Sequence, residues 1–389
     1  MRKPTSLVAP AILAAMSLVL AACQGDTASP SADLGMCRPI GDASAEETPA
    51  PDAAEPGSSD LKIGLVTDVG TLDDRNFNQY SWEGALRGAA ILGAPEPQSV
   101  ITTESSEYEA NIDSFVNEDY DIIVTVGFAL GEATAAAAEA NPDVHFIGVD
   151  QFQGTDFVEG LGLPNYESLI FSEAQAGYLA GIVAANISES GEVGVIGGSG
   201  TIPPVVNYAR GFENGVHSVN EDATVHISYV SDDLTVAFND PTAGKTFADQ
   251  FLQQNADVDV MFQIAGKTGN GVLQSVEENG IYGIGVDVDQ WISTPDSAEC
   301  IVTSAEKKLT KAVTEGIEAV GGGAPRSSNV SYGAHNDGIA LSPFYQFEDL
   351  IDADTQAAID DAFDAMAAGD LDPCQPTGLC YAGEADPGT

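Results

Sequence analysis

The chain has 389 residues, enough for two domains with full cores, and its 43% hydrophobic residues are a globular composition. Its 60 acidic residues against 13 Lys and Arg leave a formal net charge of −47, which argues against nucleic acid or any other polyanion as a partner. The acidity reads as a solubilising or salt-adapted surface rather than as a cation-binding device.

At the N-terminus Arg2 and Lys3 precede the apolar run "SLVAPAILAAMSLVL", which ends in "LAAC" at Cys23. The run is short of the ~20 apolar residues a membrane span needs, and the small residues before the cysteine suit a signal peptidase. Leu-Ala-Ala-Cys resembles a bacterial lipobox, so residues 1–22 are expected to be removed and Cys23 to carry lipid. The expected location is the extracytoplasmic face of the cell membrane, held by that anchor. Residues 23–60 are rich in Ala, Ser, Pro and acids, with hardly any large apolar side chain, and read as a disordered spacer.

Export places Cys37, Cys300, Cys374 and Cys380 in an oxidising compartment. Cys374 and Cys380 enclose the turn "QPTGL" and are expected to pair locally, leaving Cys37 with Cys300. No histidine stands close to these cysteines, so neither zinc nor any other metal or cofactor is expected.

From Leu61 onward, short apolar runs alternate with helix-period segments: "LKIGLVT", "SVITT", "DIIVTVG", "VHFIGVD", "EVGVIGG", "VHISYV", "VDVMFQIA", "IYGIGVD" and "CIVTSA". That alternation predicts parallel sheets with crossover helices, an α/β class. The order hides a repeat. "DIIVTVG", an Ala-rich helix and "VHFIGVD" are echoed by "VDVMFQIAG", a helix and "IYGIGVD", so two lobes of like topology are expected rather than one large sheet. "NYESLIFSEAQAGYLAGIVAANISESG" reads as one long helical segment with the main crossover just before it. The first lobe is thus predicted over 61–165 plus about 290–330, and the second over 166–289 plus about 331–370. Residues 371–389 form a tail.

Ligands of open parallel sheets sit beyond the carboxyl ends of the strands, and two facing lobes bring both sets of ends into one groove. The strand-end candidates are Asp68, Gly127, Phe128, Asp150, Gly197 to Ser199, Phe262 to Gly266, and Asp287. Carboxylates there suit a ligand's vicinal hydroxyls and repel phosphate; aromatic faces suit a flat ring. Together they describe a nucleoside.

Four stretches, "VTDVGTLDDRNFNQYSWEG", "FQIAGKTGNGV", "IGVDVDQW" and "VTSAEKKL", closely resemble, in that order, the basic membrane protein family of substrate-binding lipoproteins, which includes purine nucleoside receptors of bacterial ABC importers. The resemblance runs from about Leu61 to Phe344. It implies the type I periplasmic-binding fold, with two lobes and three hinge crossings, and a monomer that passes its ligand to permease subunits rather than an enzyme. It further implies that Asp68 engages the base edge, that Phe77 and Phe262 sandwich the base, that Asp287 accepts from the ribose, that Lys307 adds a polar contact, and that Gly266 brings backbone near the sugar. Two departures stand out: Thr71 where many members have glycine, and Lys267 where they have a small residue.

Other signals point elsewhere. "AGKTGNG" lacks the first glycine of a phosphate loop, with Met261 in its place. "VTDVGTLDD" resembles the calcium-binding opening of nucleoside hydrolases, which makes an exported calcium-dependent hydrolase using Asp68, Asp73 and Asp74 the alternative; three oxygen ligands fall short of the six to eight calcium takes. A receptor for a sugar or autoinducer is the third reading. Within the acidic stretch, Asp73 and Asp74 are expected to cap a helix that begins near Asn76.

Overall fold

The computed structural model describes residues 35–41, 43–44, 54–153, 162–375 and 380. The expected signal peptide, Cys23 and the tail beyond Cys380 lie outside the described residues. Among those described, no helix is long and apolar enough to cross a membrane.

The first lobe runs β1 (Ile63–Thr67), α1 (Phe77–Leu92), β2 (Gln98–Ile101), α2 (Tyr108–Val116), β3 (Ile122–Val126), α3 (Gly131–Ala140), β4 (His145–Val149) and β5 (Tyr166–Phe171). The chain then crosses to the second lobe through α4 (Glu173–Ile187), β6 (Glu192–Gly197), α5 (Pro203–Val219), β7 (Thr224–Tyr229), α6 (Leu234–Asn239) and α7 (Pro241–Gln254). That lobe continues with β8 (Val260–Ile264), α8 (Gly266–Asn279), β9 (Tyr282–Asp287), α9 (Gln290–Ser293) and β10 (Ile301–Lys307). Helix α10 (Leu309–Gly321) and strand β11 (Ser328–Tyr332) return to the first lobe; β12 (Ile339–Leu341) and α11 (Ala353–Ala368) end in the second.

Each lobe holds one six-stranded sheet, in the orders β11-β5-β4-β3-β1-β2 and β12-β10-β9-β8-β6-β7. The orders match position for position, as the sequence repeat predicts. All pairings are parallel except β10 with β12. Strands such as β1, β3 and β8 are buried along their whole length because helices cover both faces, which is why they read as unbroken apolar runs. Among the described residues, three connections between these elements cross from lobe to lobe, after β5, β10 and β11, and they lie side by side: the Ser172 N–H donates to the Tyr332 carbonyl at 2.8 Å, and the Lys308 N–H to that of Gly338 at 3.0 Å.

Three expectations change. "NYESLIF" is not helical: Tyr166–Phe171 is a strand of the first sheet, so the crossover follows Phe171 and not residue 165. The polar Glu167 that obscures this strand is buried against Arg326. Strand β10 belongs to the second sheet rather than to the return into the first lobe, which begins only at α10. The described parts of the spacer are also ordered by what they touch. Cys37 is bonded to Cys300, the Met36 N–H donates to Gly280 at 2.8 Å and that of Arg38 to Glu299 at 2.7 Å, all on the second lobe. Ala54 and Gly57 donate instead to Ala90 and Gly93 of the first, at 3.1 and 2.8 Å. A segment unable to build its own core can still be held by one built elsewhere. The structure also joins Cys374 to Cys380.

Candidate ligand-binding cleft

Between the lobes lies a cleft enclosing about 600 Å³ of empty space including its mouth, within the range of small-molecule sites. The first lobe lines it with Asp68, Phe77, Gly127, Phe128 and Asp150. The second contributes Tyr208, Phe238, Ile264, Gly266, Asp287 and Lys307. Most come from the carboxyl end of a strand or the start of the helix behind it; Tyr208 lies inside α5 and Phe238 near the end of α6.

Asp68 follows β1, and its Oδ2 accepts from the Ala129 N–H at 3.3 Å. Burial, opposed by that hydrogen bond and aided by the charge of Asp150, pushes its pKa up to about 7. Its place depends on Gly127, whose φ of 113° suits glycine and whose missing Cβ would stand 2.1 Å from the Asp68 carboxyl. Beneath that turn Gln151 donates to the Gly127 carbonyl at 3.1 Å.

At the hinge floor Lys307, the last residue of β10, is 4% exposed and faces three carboxylates. Its Nζ lies 2.5 Å from Asp150 Oδ2, 3.5 Å from Asp287 Oδ1 and 3.6 Å from Glu173 Oε1. Burial opposes the ammonium charge, yet the combined attraction of Asp150, Asp287 and Glu173 outweighs it and raises the lysine pKa. The same burial raises Asp287 to about 6 and Glu173 to about 8. Asp150 also moves upward by burial, with Lys307 pulling the other way. Lys307 Nζ further sits 5.1 Å from the Phe77 ring centre and 5.6 Å from that of Tyr208.

Asp150 and Asp287 close the two "Gly-Val-Asp" repeats, and both adopt left-handed backbone, at φ 56° and 64°. Aspartate tolerates that region better than most residues, and a cost there marks positions held by their surroundings. The buried Asp150 Oδ1 and Asp287 Oδ1 make no hydrogen bond, Asp287 Oδ1 having only the ammonium at 3.5 Å. Two acceptors aimed into a cleft from opposite lobes call for a ligand rich in donors.

Six of the seven residues expected at the ligand line the cleft; Phe262 does not. It is fully buried, stacked on Phe212 with ring centres 5.2 Å apart and edge-on to Tyr208 at 5.9 Å. Residues i and i+2 of a strand share a face, so Phe262 points as Ile264 does but one step short of the strand end, and Ile264 reaches the cleft instead. The aromatic faces on the second lobe are Phe238, from α6, and Tyr208, from α5. Neither carries a strand-end signature; only Asp233, capping α6, and the Asp240-Pro241 pair after it hint at a short separate helix. Asp150 stood among the strand-end candidates but outside the ligand set, although the repeat equated it with Asp287. Glu173 at the start of α4 was missed altogether, within a stretch read as continuous helix.

The calcium reading needs Asp68, Asp73 and Asp74 to converge, and they do not. Asp74 turns its oxygens to the N–H groups of Asn76 (2.8 Å), Asn78 (2.9 Å) and Gln79 (3.0 Å), holding the start of α1. Asp73 is exposed and bonds the Thr71 hydroxyl rather than capping the helix. The two departures noted above meet here, for Lys267 Nζ donates to Thr71 Oγ1 at 3.0 Å across the cleft mouth.

The fold is shared with solved solute-binding proteins. One from Aeropyrum pernix K1 aligns at a TM-score of 0.71 and 25% identity over 80% of this chain and 92% of its own. A carbohydrate-binding one from Agrobacterium radiobacter, solved with D-arabinose, aligns at 0.56 and 18% identity over 77% and 99%. Among sequence relatives, the CD4+ T-cell-stimulating antigen of Listeria monocytogenes is 29% identical over 81% of this chain and 88% of its own. The ABC transporter nucleoside-binding protein BmpA of Lactococcus lactis is 28% identical over 78% and 87%, and basic membrane protein B of Borreliella burgdorferi 30% over 67% and 73%. The family described as ABC transporter substrate-binding protein PnrA-like matches residues 62–362, a span that takes in both sheets and every cleft residue named above, and the chain belongs to that family.

Proposed function

We propose that this substrate-binding protein captures a nucleoside, with preference for a purine, and presents it to the permease subunits of an importer while held by lipid at Cys23 on the extracytoplasmic face. The observation that carries the reading is the pair of buried carboxylate oxygens that make no hydrogen bond, Asp150 Oδ1 and Asp287 Oδ1, beside an aromatic from each lobe, Phe77 and Phe238. Ribose hydroxyls supply donors to the carboxylates, and a base supplies the flat ring for the phenylalanines. Asp68 takes the base edge, Lys307 and Asp287 the sugar side, and Gly266, at φ 51°, lets α8 begin close to the ligand. A nucleotide fits poorly, because Asp150, Asp287 and Glu173 surround the one lysine at the cleft floor and Asp68 adds a further acid to the lining. A free sugar leaves both phenylalanines without a partner.

Ligand contacts that bridge both lobes favour the closed form over the open one, which is how binding is signalled to a permease. Calorimetric titration with guanosine, adenosine, inosine and uridine tests the reading, together with mass spectrometry of denatured protein for ligand carried through purification. Purine nucleosides are expected to bind more tightly than uridine. Flat traces from protein shown to be ligand-free would sink the claim.

A further inference from the structure

We propose that Lys267 is the positioning residue of a latch across the mouth of the cleft, reaching from the second lobe to the Thr71–Asp73 turn of the first and setting how long a captured ligand stays. Lys267 Nζ lies 3.0 Å from Thr71 Oγ1 and 3.5 Å from Asp73 Oδ1. The Thr71 hydroxyl accepts from the lysine and donates to Asp73 at 2.5 Å, so one side chain holds both charged partners. One turn along α8, Asn270 Nδ2 donates to the Asp74 carbonyl of the same turn at 3.1 Å, while its Oδ1 accepts from Gln290 at 3.4 Å. Gln290 is fully buried and also accepts from the Val286 N–H at 2.9 Å, which anchors this second contact in the core of the second lobe.

Two physical points separate this cluster from an incidental surface ion pair. Lys267 is the second residue of α8, where positive charge opposes the helix dipole, so the position disfavours lysine unless an acid answers it. The contacts of Lys267 with Thr71 and Asp73, and of Asn270 with Asp74, each also join residues of different lobes and are lost when they part. Their whole free energy therefore falls on the difference between closed and open states, unlike a pair within one lobe. Arg75 and Asp296, 3.5 Å apart and both well exposed, span the same mouth more loosely.

The latch rests on the two-lobe cleft and not on the identity of the ligand. The test measures guanosine dissociation by stopped flow for the wild type, K267A, D73N and the charge swap D73K/K267D, in dilute buffer and in about 1 M NaCl, where screening falls to about 3 Å. In dilute buffer K267A and D73N are expected to release guanosine about two- to five-fold faster, with association unchanged, and the swap to recover most of the loss. In high salt the four rates should converge. Wild-type release from K267A, an acceleration that persists in salt, or a swap as fast as the single variants would each overturn the latch. Should no nucleoside bind, the nucleoside reading fails by itself, and the latch is then read from spin-label distances between E139C and E221C, exposed sites on separate lobes. Without ligand K267A should shift that distribution toward longer distances, and an unchanged distribution would refute the proposal.

Discussion

The two lobes use one strand order and load it differently. In the first, Asp68 follows β1, Gly127 at φ 113° follows β3, and Phe77 opens the helix behind β1. The matching positions of the second are Gly198 after β6 and Ala265, with ordinary backbone, after β8. What the lobes share is the frame: Asp150 and Asp287 in left-handed turns, and a fully buried glutamine under each cleft wall, Gln151 and Gln290. Symmetry persists where the chain must turn and a core must be sealed. It breaks where side chains line the cleft, as the proposed ligand with its unlike ends would require.

Lys307 is where the lobes meet in charge, bonding Asp150 of the first and Asp287 of the second, so its removal gives the largest expected effect. K307M leaves three buried carboxylates without their cation and should cost about 3–5 kcal/mol of unfolding free energy, read from denaturant midpoints. Stability within about 1 kcal/mol of wild type would mean that those acids are neutral in the folded protein.

Phenylalanines on the two sides of the cleft wall sharpen the contrast between packing and binding. F262A opens a cavity in the second lobe and should cost about 3–5 kcal/mol of stability. F77A and F238A, one from each lobe, should instead each cost about 1–3 kcal/mol of guanosine affinity at nearly unchanged stability. If F262A weakened guanosine at full stability while F238A did nothing, the assignment of the second aromatic face would be wrong.

The glycine turn tests the asymmetry directly. G127A places a Cβ into Asp68 at positive φ and should lower both stability and affinity by about 1–3 kcal/mol. At the mirrored position A265G should cost no more than about 1 kcal/mol. Equal effects would show the first wall to be less constrained than its geometry says.

The smallest effect is one of pH. Asp68 is raised from 3.8 to about 7 in the folded protein, so the native state binds the extra proton and stability falls as pH rises from about 4 through 7. Ligand-free protein should therefore show a higher urea midpoint at pH 5 than at pH 8. D68N should lessen that difference without abolishing it, because Asp287, raised to about 6, and Glu173, raised to about 8, contribute with the same sign. An undiminished difference in D68N would remove Asp68 from the account.

Much of this was legible in the residues. Apolar runs with alternating helices specify parallel sheets, and the doubled "Gly-Val-Asp" specifies two of them, because burial on both faces leaves only that pattern. The place of Asp68, Phe77 and Asp287 at the cleft was readable since strand ends and the helix starts behind them are local features. Phe262 was misread because strand and motif were right but the reach of one side chain depends on where the sheet stops. Strand β5 was misread because its Glu167 is matched by Arg326, 159 positions away in sequence. The sequence alone determined the class, the repeat and the chemistry available to the cleft, all properties of neighbouring residues. Only the tertiary structure decided that Phe238 lines one cleft with Phe77, that Glu173 joins Lys307, and that Lys267 meets Thr71 across the mouth. Each of those pairings closes over a hundred or more residues, and no spacing rule carries information over that distance.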